Sequence, residues 1–315
     1  MNEIQIINNL RKIIKTPVAM NIDDDVLFDK KHSLISSIDT YNEKIHYPNF
    51  KYPHKVVKKI IRSSISDIIS KGVDPKYMLM TFSGTANNFS KKNIKLIINS
   101  IKQEQKKFNF SLVGGDITSS IKSSFTVCIF SYSKRIVKRN NCLKDDDIYV
   151  TGNIGDSSVG LFIIKKKFKT SPEIKKYFID KYYKPNLAFG FHRKLLNFAN
   201  SSMDISDGLL SDLKKMLKNK NQGYIIDFNK LPKSKYFNKL LSQKKIFDMD
   251  HLFKGDDYQI IFTANKNNRN HILKFAKMWN QKITRIGNIT GVRGNYLKFN
   301  NQLKKIKDYQ GYIHN

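Results

Sequence analysis

Acid is scarce in this chain, and it is placed where it can do chemistry. The formal net charge is +31, from 57 Lys and Arg against 26 Asp and Glu. Aspartates nevertheless recur in short turn-like motifs: Asp23-Asp24-Asp25, Ser37-Ile38-Asp39-Thr40, Ser66-Asp67, Gly114-Gly115-Asp116 and Asp204-Ile205-Ser206-Asp207-Gly208. Several follow an apolar run directly, so the carboxylates project from the ends of strands or helices. Carboxylates gathered at one mouth repel one another unless a cation lies between them. An oxygen-rich site of that kind suits Mg²⁺, which in turn binds polyphosphate. The residues therefore point to a metal-dependent nucleotide enzyme.

Each motif alone has a plainer reading. Gly114-Gly115-Asp116 follows the apolar Leu112-Val113, and the glycines either let backbone approach a phosphate or form a hairpin turn. Ser206 or Asp207 either caps the helix that follows or meets phosphate at its N-terminus. Gly255-Asp256-Asp257-Tyr258 is either a solvated turn or a further acidic contact. His46 has no second His or Cys at zinc-ligand spacing. Neither a GxxxxGK[ST] loop nor an HRD and DFG pair is present, so ATP would bind on another scaffold.

The elements that must carry these groups read as a mixture of strands and helices in both halves. Residues 33–38 form a strand ending at Asp39. Residues 55–71 have helical periodicity through Val56, Ile60, Ile61, Ile65 and Ile68, and Gly72 stops the helix. A strand over 77–82 precedes a helix capped by Ser90 and reaching about Phe108; short strands follow at 110–113 and 124–131. Residues 134–144 are basic and aperiodic, and make the best linker. The second half opens with a strand at 147–151, continues with helices at 157–166, 172–183 and 187–200, and delivers the Asp204 motif from a strand at 202–205. A helix over 209–217 follows it. Strands at 224–228, 258–263, 283–286 and 296–299, with a helix at 268–279, complete an α/β or α+β pattern.

At 315 residues there is room for two domains, and 40% hydrophobic residues with 21 Phe argue for a folded chain. No apolar stretch approaches the roughly 20 residues that span a bilayer. Residues 1–15 lack the uninterrupted apolar core of a signal peptide. The two cysteines, Cys128 and Cys142, are too far apart for a CxxC motif and suit a reducing cytosol. The lysines are spread over helix faces such as 165–169 and 214–220 rather than gathered with aromatics. They read as general compositional bias, with no specific nucleic acid and no membrane as partner.

Taken in order, the motifs resemble those of the thiamine-monophosphate kinase family, within the superfamily named for aminoimidazole ribonucleotide synthetase. Residues 22–26, Ile-Asp-Asp-Asp-Val, are similar to the family's GDDAA. Residues 37–47 resemble STDTLVEGVHF, residues 64–75 resemble NLSDLAAMGADP, and residues 112–118 resemble LIGGDTT. The runs from Ile148 to Gly152 and Gly155 to Leu161, the Met203 to Leu209 segment, Gly255 to Tyr258, Arg285-Ile286-Gly287 and Gly311-Tyr312 fit as well. The chain departs from the pattern at Asn21 and Ile22, Ile38, Ser64, Asp256 and Gln259. Sister families differ where it counts: no Cys lies in the first hundred residues, the tail has no terminal Cys, and DGVGTK does not follow Asp39.

The resemblance implies transfer of the γ-phosphoryl of ATP to thiamine monophosphate. It implies an N-terminal α/β domain over residues 1–143 that binds ATP and Mg²⁺ and dimerises through its sheet, and a C-terminal α/β domain over 144–315. It assigns several Mg²⁺ ions to Asp24, Ser37, Asp39, Asp67, Asp116, Asp204 and Asp207. It assigns ATP contacts to Gly115, Asp116, Arg139 and Ser206, and thiamine phosphate contacts to His46, Asp256 and Tyr312. No covalent nucleophile is expected. Two alternatives remain at this level: a superfamily relative using ATP on another small acceptor, and a basic nucleic-acid-binding protein whose acidic turns are structural.

Overall fold

The computed structural model describes residues 3–218 and 220–306, so Gly311 and the candidate Tyr312 lie outside the described residues. Residues 27–132 build a five-stranded sheet. Its strands are β1 (Leu27–Asp29), β2 (Leu34–Asn42), β3 (Tyr77–Gly84), β4 (Ser111–Ser119) and β5 (Ser124–Tyr132), in the order β1-β2-β5-β3-β4. Helix α1 (Glu3–Arg11) precedes it; α2 (Pro53–Ser70) and α3 (Lys91–Phe108) belong to it. The β3–β4 pair is parallel, with α3 as its crossover, and the other pairs are antiparallel.

Residues 147–305 build a seven-stranded sheet in the order β12-β11-β8-β10-β6-β9-β7. Its strands are β6 (Asp147–Thr151), β7 (Ala199–Asp204), β8 (Gly223–Asp227), β9 (Ile260–Ala264), β10 (Ile283–Thr290), β11 (Asn295–Phe299) and β12 (Gln302–Lys305). The helices are α4 (Asp156–Ile164), α5 (Pro172–Tyr183), α6 (Leu195–Phe198), α7 (Leu209–Met216), α8 (Lys235–Ser242) and α9 (Arg269–Met278). The two sheets have separate apolar cores, but Tyr182 and Tyr183 of α5 pack into the first one.

Most expected elements are present within a residue or two, and the exceptions have physical causes. Gly114-Gly115-Asp116 is not a turn, because β4 runs straight through it. A Cβ on Gly115 would meet the Met80 carbonyl oxygen at 1.8 Å, so the glycine serves the close β3–β4 approach. The helix expected over 187–200 is cut short. Gly190 takes φ +91, only residues 191–198 are helical, and Ala199 and Asn200 are drawn into β7 by pairing with β9. Strand β2 continues past Asp39 to Asn42 because β5 pairs with it throughout. The 134–144 segment is aperiodic as expected but tied down: the Val137 and Arg139 amides donate to Lys71 O and Asp24 Oδ2, at 3.0 and 2.9 Å.

Helix α2 is the element on which the rest of the fold closes. Its apolar side packs on β2 and β5, and its other side meets β7 and α5 of the second domain. That second side is polar and buried: Lys59, Arg62, Ser63, Ser66 and Ser70 all lie inside. Arg62 is clamped by Glu104 of α3 through two bonds of 2.7 and 3.0 Å and donates to Pro185 O at 3.0 Å. Removing one partner from a buried pair leaves the other charge unmet, a loss of about 3 kcal/mol or more. Glu104→Gln is therefore expected to lower stability by about that amount in urea unfolding, whereas a solvent-screened pair would give under about 1 kcal/mol.

Candidate active site

Between the domains lies a cleft of about 560 Å³. One end is acidic, with Asp39 from β2, Asp67 from α2, and Asp204 and Asp207 from the end of β7. The other end is aromatic and apolar, with Ile45, Leu161, Phe162, Tyr182 and Tyr258. His46 and Asp256 lie along its wall.

The acidic end is built by one strand from each sheet and one helix. The alternation of β2 turns Asp39 and Tyr41 to the α2 side of the sheet, where the Tyr41 hydroxyl donates to Asp39 Oδ2 at 3.3 Å. Asp67 stands in the last turn of α2, and Ser66 beside it donates to Asp204 Oδ2 at 2.5 Å across the domain boundary. Burial pushes the Asp39 carboxyl up to about 6, with the Asp25 charge adding to the rise. Burial, followed by repulsion from Asp25, pushes Asp204 to about 7. Asp67 rises well above the carboxylate range through burial and the charges of Asp39 and Asp204. No ion pair forms at any of these three among the described residues.

The other aspartates are already compensated. Asp23 pairs with Arg11 at 2.8 Å and Lys218 at 2.6 Å. Asp24 Oδ1 lies 2.7 Å from the Lys71 ammonium, and its Oδ2 accepts the Arg139 amide. Asp25 pairs with Lys71 at 2.5 Å and with the Arg139 guanidinium at 2.7 Å. Asp207 pairs with Lys215 at 2.5 Å. Ser37 is buried and donates weakly to Ser64 O at 3.5 Å.

Asp116 is not brought to this group. Asp39 pairs with Val127, Val127 with Met80, and Met80 with Gly115, which sets Gly115 three strand spacings from Asp39, on the order of 14 Å. Asp116 is one residue further along β4 and so points to the opposite face, where the whole strand is exposed. Among the described residues, no group of three or more His, Cys, Asp and Glu side chains has already converged enough to hold a metal.

Two loops lean on each other beneath Ser206 and Asp256. The Asp256 amide donates to Ser206 O at 2.7 Å and the Tyr258 amide to Ile205 O at 2.9 Å. Gly208, at φ +121, leaves no room for a Cβ, which would meet Phe253 O at 1.9 Å. Asp256 and Tyr258 hold φ of +64 and +51, conformations that L residues adopt only when their surroundings force them. Lys59 lies beside both: its buried ammonium is 2.6 Å from Asp256 Oδ1, 5.4 Å from the centre of the Tyr258 ring and 4.1 Å from that of Tyr182. The His46 Nδ1 accepts the Asn42 amide at 2.9 Å, which leaves the ring proton of neutral His46 on Nε2.

Neither Ser206 nor Asp207 caps α7. The carboxylate of Asp212 folds back and accepts the amides of Ser206, Asp207 and Gly208 at 3.1, 3.1 and 3.0 Å. The helix N-terminus is thereby filled from within, and a phosphate there would compete with a built-in anion. Asp257 does the same for α4, accepting the Gly155 and Ser157 amides. Asp212, Lys59 and Lys71 escape sequence reading because a charge on a helix reads as a solvated face. The signal that could have revealed the two lysines is the run of serines at 63, 66 and 70, small residues at helical spacing that let another chain segment come close.

A cleft between two α/β domains, acidic at one end and aromatic at the other, defines a class of small-molecule site. Residues 22–132 match the family described as AIR synthase related protein, N-terminal domain, and residues 144–300 match its C-terminal domain. The chain is 30% identical over 319 residues to the thiamine-monophosphate kinase of Buchnera aphidicola subsp. Acyrthosiphon pisum, covering 100% of this chain and 93% of that one. It is 31% identical over 328 residues to that of Buchnera aphidicola subsp. Schizaphis graminum, covering 99% and 98%. It superposes on a solved ThiL chain complexed with AMPPCP and TMP with a TM-score of 0.87 at 25% identity, covering 99% and 97%. This chain belongs to the thiamine-monophosphate kinase family.

The unpaired carboxylates give a sign that can be tested without substrate. Asp39 binds its proton more tightly folded, at about 6, than unfolded, at its ordinary 3.8. Its favourable contribution is therefore complete below the ordinary value and is lost as pH rises to about 6. Asparagine has no such loss. In chelator, the melting temperature of Asp39→Asn minus that of the unaltered chain should rise between pH 4 and 6 and level off above 7. A difference that stays flat across this range would mean Asp39 is as freely ionised as a surface acid.

Proposed function

We infer that this chain phosphorylates thiamine monophosphate to thiamine diphosphate with ATP, by direct in-line transfer. The observation that carries the reading is the cleft itself, which sets Asp204, buried, and Asp39 and Asp67, half-buried, beside an aromatic wall, with no ion pair to any of the three among the described residues. The relatives named thiamine-monophosphate kinase and the ThiL chain solved with AMPPCP and TMP support it.

The acceptor is already anionic, so deprotonation adds little. The barrier is repulsion between two polyanions, and alignment with neutralisation is the main catalytic work. The aromatic wall of Phe162, Tyr182 and Tyr258 suits the two rings of thiamine, and Tyr182 and Tyr258 flank Lys59 as well. His46 and Asp256 lie between that wall and the acids, where the acceptor phosphate has to pass. Asp256 is fixed by Lys59, which holds its carboxylate rather than leaving it to swing in solvent. Tyr312 retains its assignment to the acceptor from the resemblance.

The carboxylates of Asp39, Asp67 and Asp204 fit a hard divalent cation, because carboxyls raised by burial and by neighbouring charge (Asp25 at Asp39 and Asp204, Asp39 and Asp204 at Asp67) are those a cation stabilises most. They would hold Mg²⁺, with Ser37, Asp207 and Asp24 around them. When bound, the metal would supply positive charge to phosphate oxygens from both substrates. Ser206 and Arg139 are assigned to ATP at the same end.

Gly115 and Asp116 are assigned to ATP in a homodimer. Strand β4 is an exposed edge bearing Val113 and Ile117, exposed to 54% and 68%, and such an edge is normally covered. A second copy lying over it would bring Asp116 into an enclosed site. No described helix is long and apolar enough to cross a membrane. The cytoplasm, where ATP is supplied, is the proposed location, and 143/144 the proposed domain boundary.

Incubation with ATP, Mg²⁺ and thiamine monophosphate should give thiamine diphosphate by mass spectrometry; product only with a different acceptor would transfer the chain to a sister activity. Asp67→Asn should reduce kcat by roughly two orders of magnitude or more, a loss of several kcal/mol of transition-state stabilisation. Asp145→Asn, in the connecting segment, is the silent control. Turnover left intact by Asp67→Asn would remove Asp67 from the site. Light scattering at micromolar concentration should give twice the chain mass, and a strictly monomeric mass would count against the dimer.

A further inference from the structure

Lys71 and Asp25 have no part in the substrate contacts above, yet they form a tightly enclosed charge arrangement. Lys71 follows α2 directly, with its side chain 0% exposed. Its ammonium lies 2.7 Å from Asp24 Oδ1, 2.5 Å from Asp25 Oδ2 and 3.2 Å from Ser202 O. Two carboxylates and a carbonyl, from separate segments of the chain, are the donor types that surround a hard cation. Both carboxylates touch the ammonium directly, and their charge offsets the cost of burying it.

The position matters as much as the charge. Lys71 lies one helical turn beyond Asp67 and eases the ionisation of both Asp67 and Asp204. It therefore belongs to the same electrostatic cluster as the open carboxylates. Set against the motifs GDDAA and NLSDLAAMGADP, Asp25 falls at an alanine and Lys71 at a methionine. Charge is balanced here: Lys71 and Arg139 carry two positive charges, and Asp24 and Asp25 two negative ones.

We propose that the Lys71 ammonium is a tethered cation of the phosphoryl-transfer site, occupying the place between Asp24 and Asp25 where a divalent ion would otherwise bind. The chain then binds one divalent ion fewer than a version with an apolar residue at position 71. A dication in that place would meet the ammonium at contact distance, and both Asp24 oxygens already accept a hydrogen bond, which leaves Asp24 to an ion in the cleft only through its remaining lone pairs. A lysine cannot be chelated away, so this corner stays assembled without metal. The proposal rests on the reading of the cleft as a metal-assisted kinase site.

The test counts ions rather than turnover. Mn²⁺ bound per chain would be measured by equilibrium dialysis, with a non-hydrolysable ATP analogue present, for the unaltered protein, Lys71→Met and the double variant Asp25→Ala/Lys71→Met. The double variant removes a balanced pair and so guards against simple misfolding. Both variants should bind one ion more per chain. Lys71→Met should melt below the unaltered protein in chelator and recover when Mn²⁺ is added, whereas the unaltered protein should shift less. Equal ion counts in all three proteins, zero included, would overturn the proposal, as would a Lys71→Met chain whose lost stability Mn²⁺ does not restore. If no thiamine diphosphate forms while the counts differ by one, the kinase reading fails and the tethered cation stands.

Discussion

Uncompensated negative charge, enclosed between two domains, is the constraint around which this protein is arranged. Asp39, Asp67 and Asp204 come from three different elements, and among the described residues none of them meets a cation at bonding distance, in a chain of 57 lysines and arginines. Every neighbouring aspartate has one: Asp23 has Arg11 and Lys218, Asp24 and Asp25 share Lys71, and Asp207 has Lys215. The contrast sorts the aspartates into a framework and an open set. A framework acid is neutralised in place and holds the chain; an open acid stays short of charge until something cationic enters.

Helix α2 makes that arrangement possible. It carries Asp67 in its own sequence and reaches Asp204 through Ser66 and Asp256 through Lys59, so both ends of the cleft hang on one rigid element. Its Arg62 and Glu104 pair locks it to α3, and Ser202 donates back to the Ser70 carbonyl from β7. A helix with so much buried polarity is tolerable because Lys59, Arg62, Ser63, Ser64, Ser66 and Ser70 each find a partner. The same partners hold the acids in place relative to one another, which in-line transfer between two anions demands.

The sequence made the order of strands and helices readable where periodicity was strong. The helix ended by Gly72, the Ser90 cap and the 147–151 strand all stand as the pattern required. Local pattern failed where tertiary contact decides. The two glycines before Asp116 look like a turn until β3 is placed beside them, and 187–200 looks like one helix until β9 recruits its end. The site was legible as a set of aspartates but not as a division of labour among them. Only the serines at 63, 66 and 70 hint that Lys71 is wholly buried, and no local pattern reveals that Asp212 would occupy the amides expected for phosphate.

Infrared difference spectroscopy of the metal-free protein near neutral pH tests this account most directly. A carboxyl kept protonated by its neighbours shows an acid carbonyl band that moves in D₂O, and ionised surface acids show none. The account predicts such a band, its loss on addition of Mg²⁺, and its weakening in Asp67→Asn. A metal-free spectrum without any protonated carboxyl, unchanged by Mg²⁺, would contradict the claim that these three carboxylates lack a cation of their own.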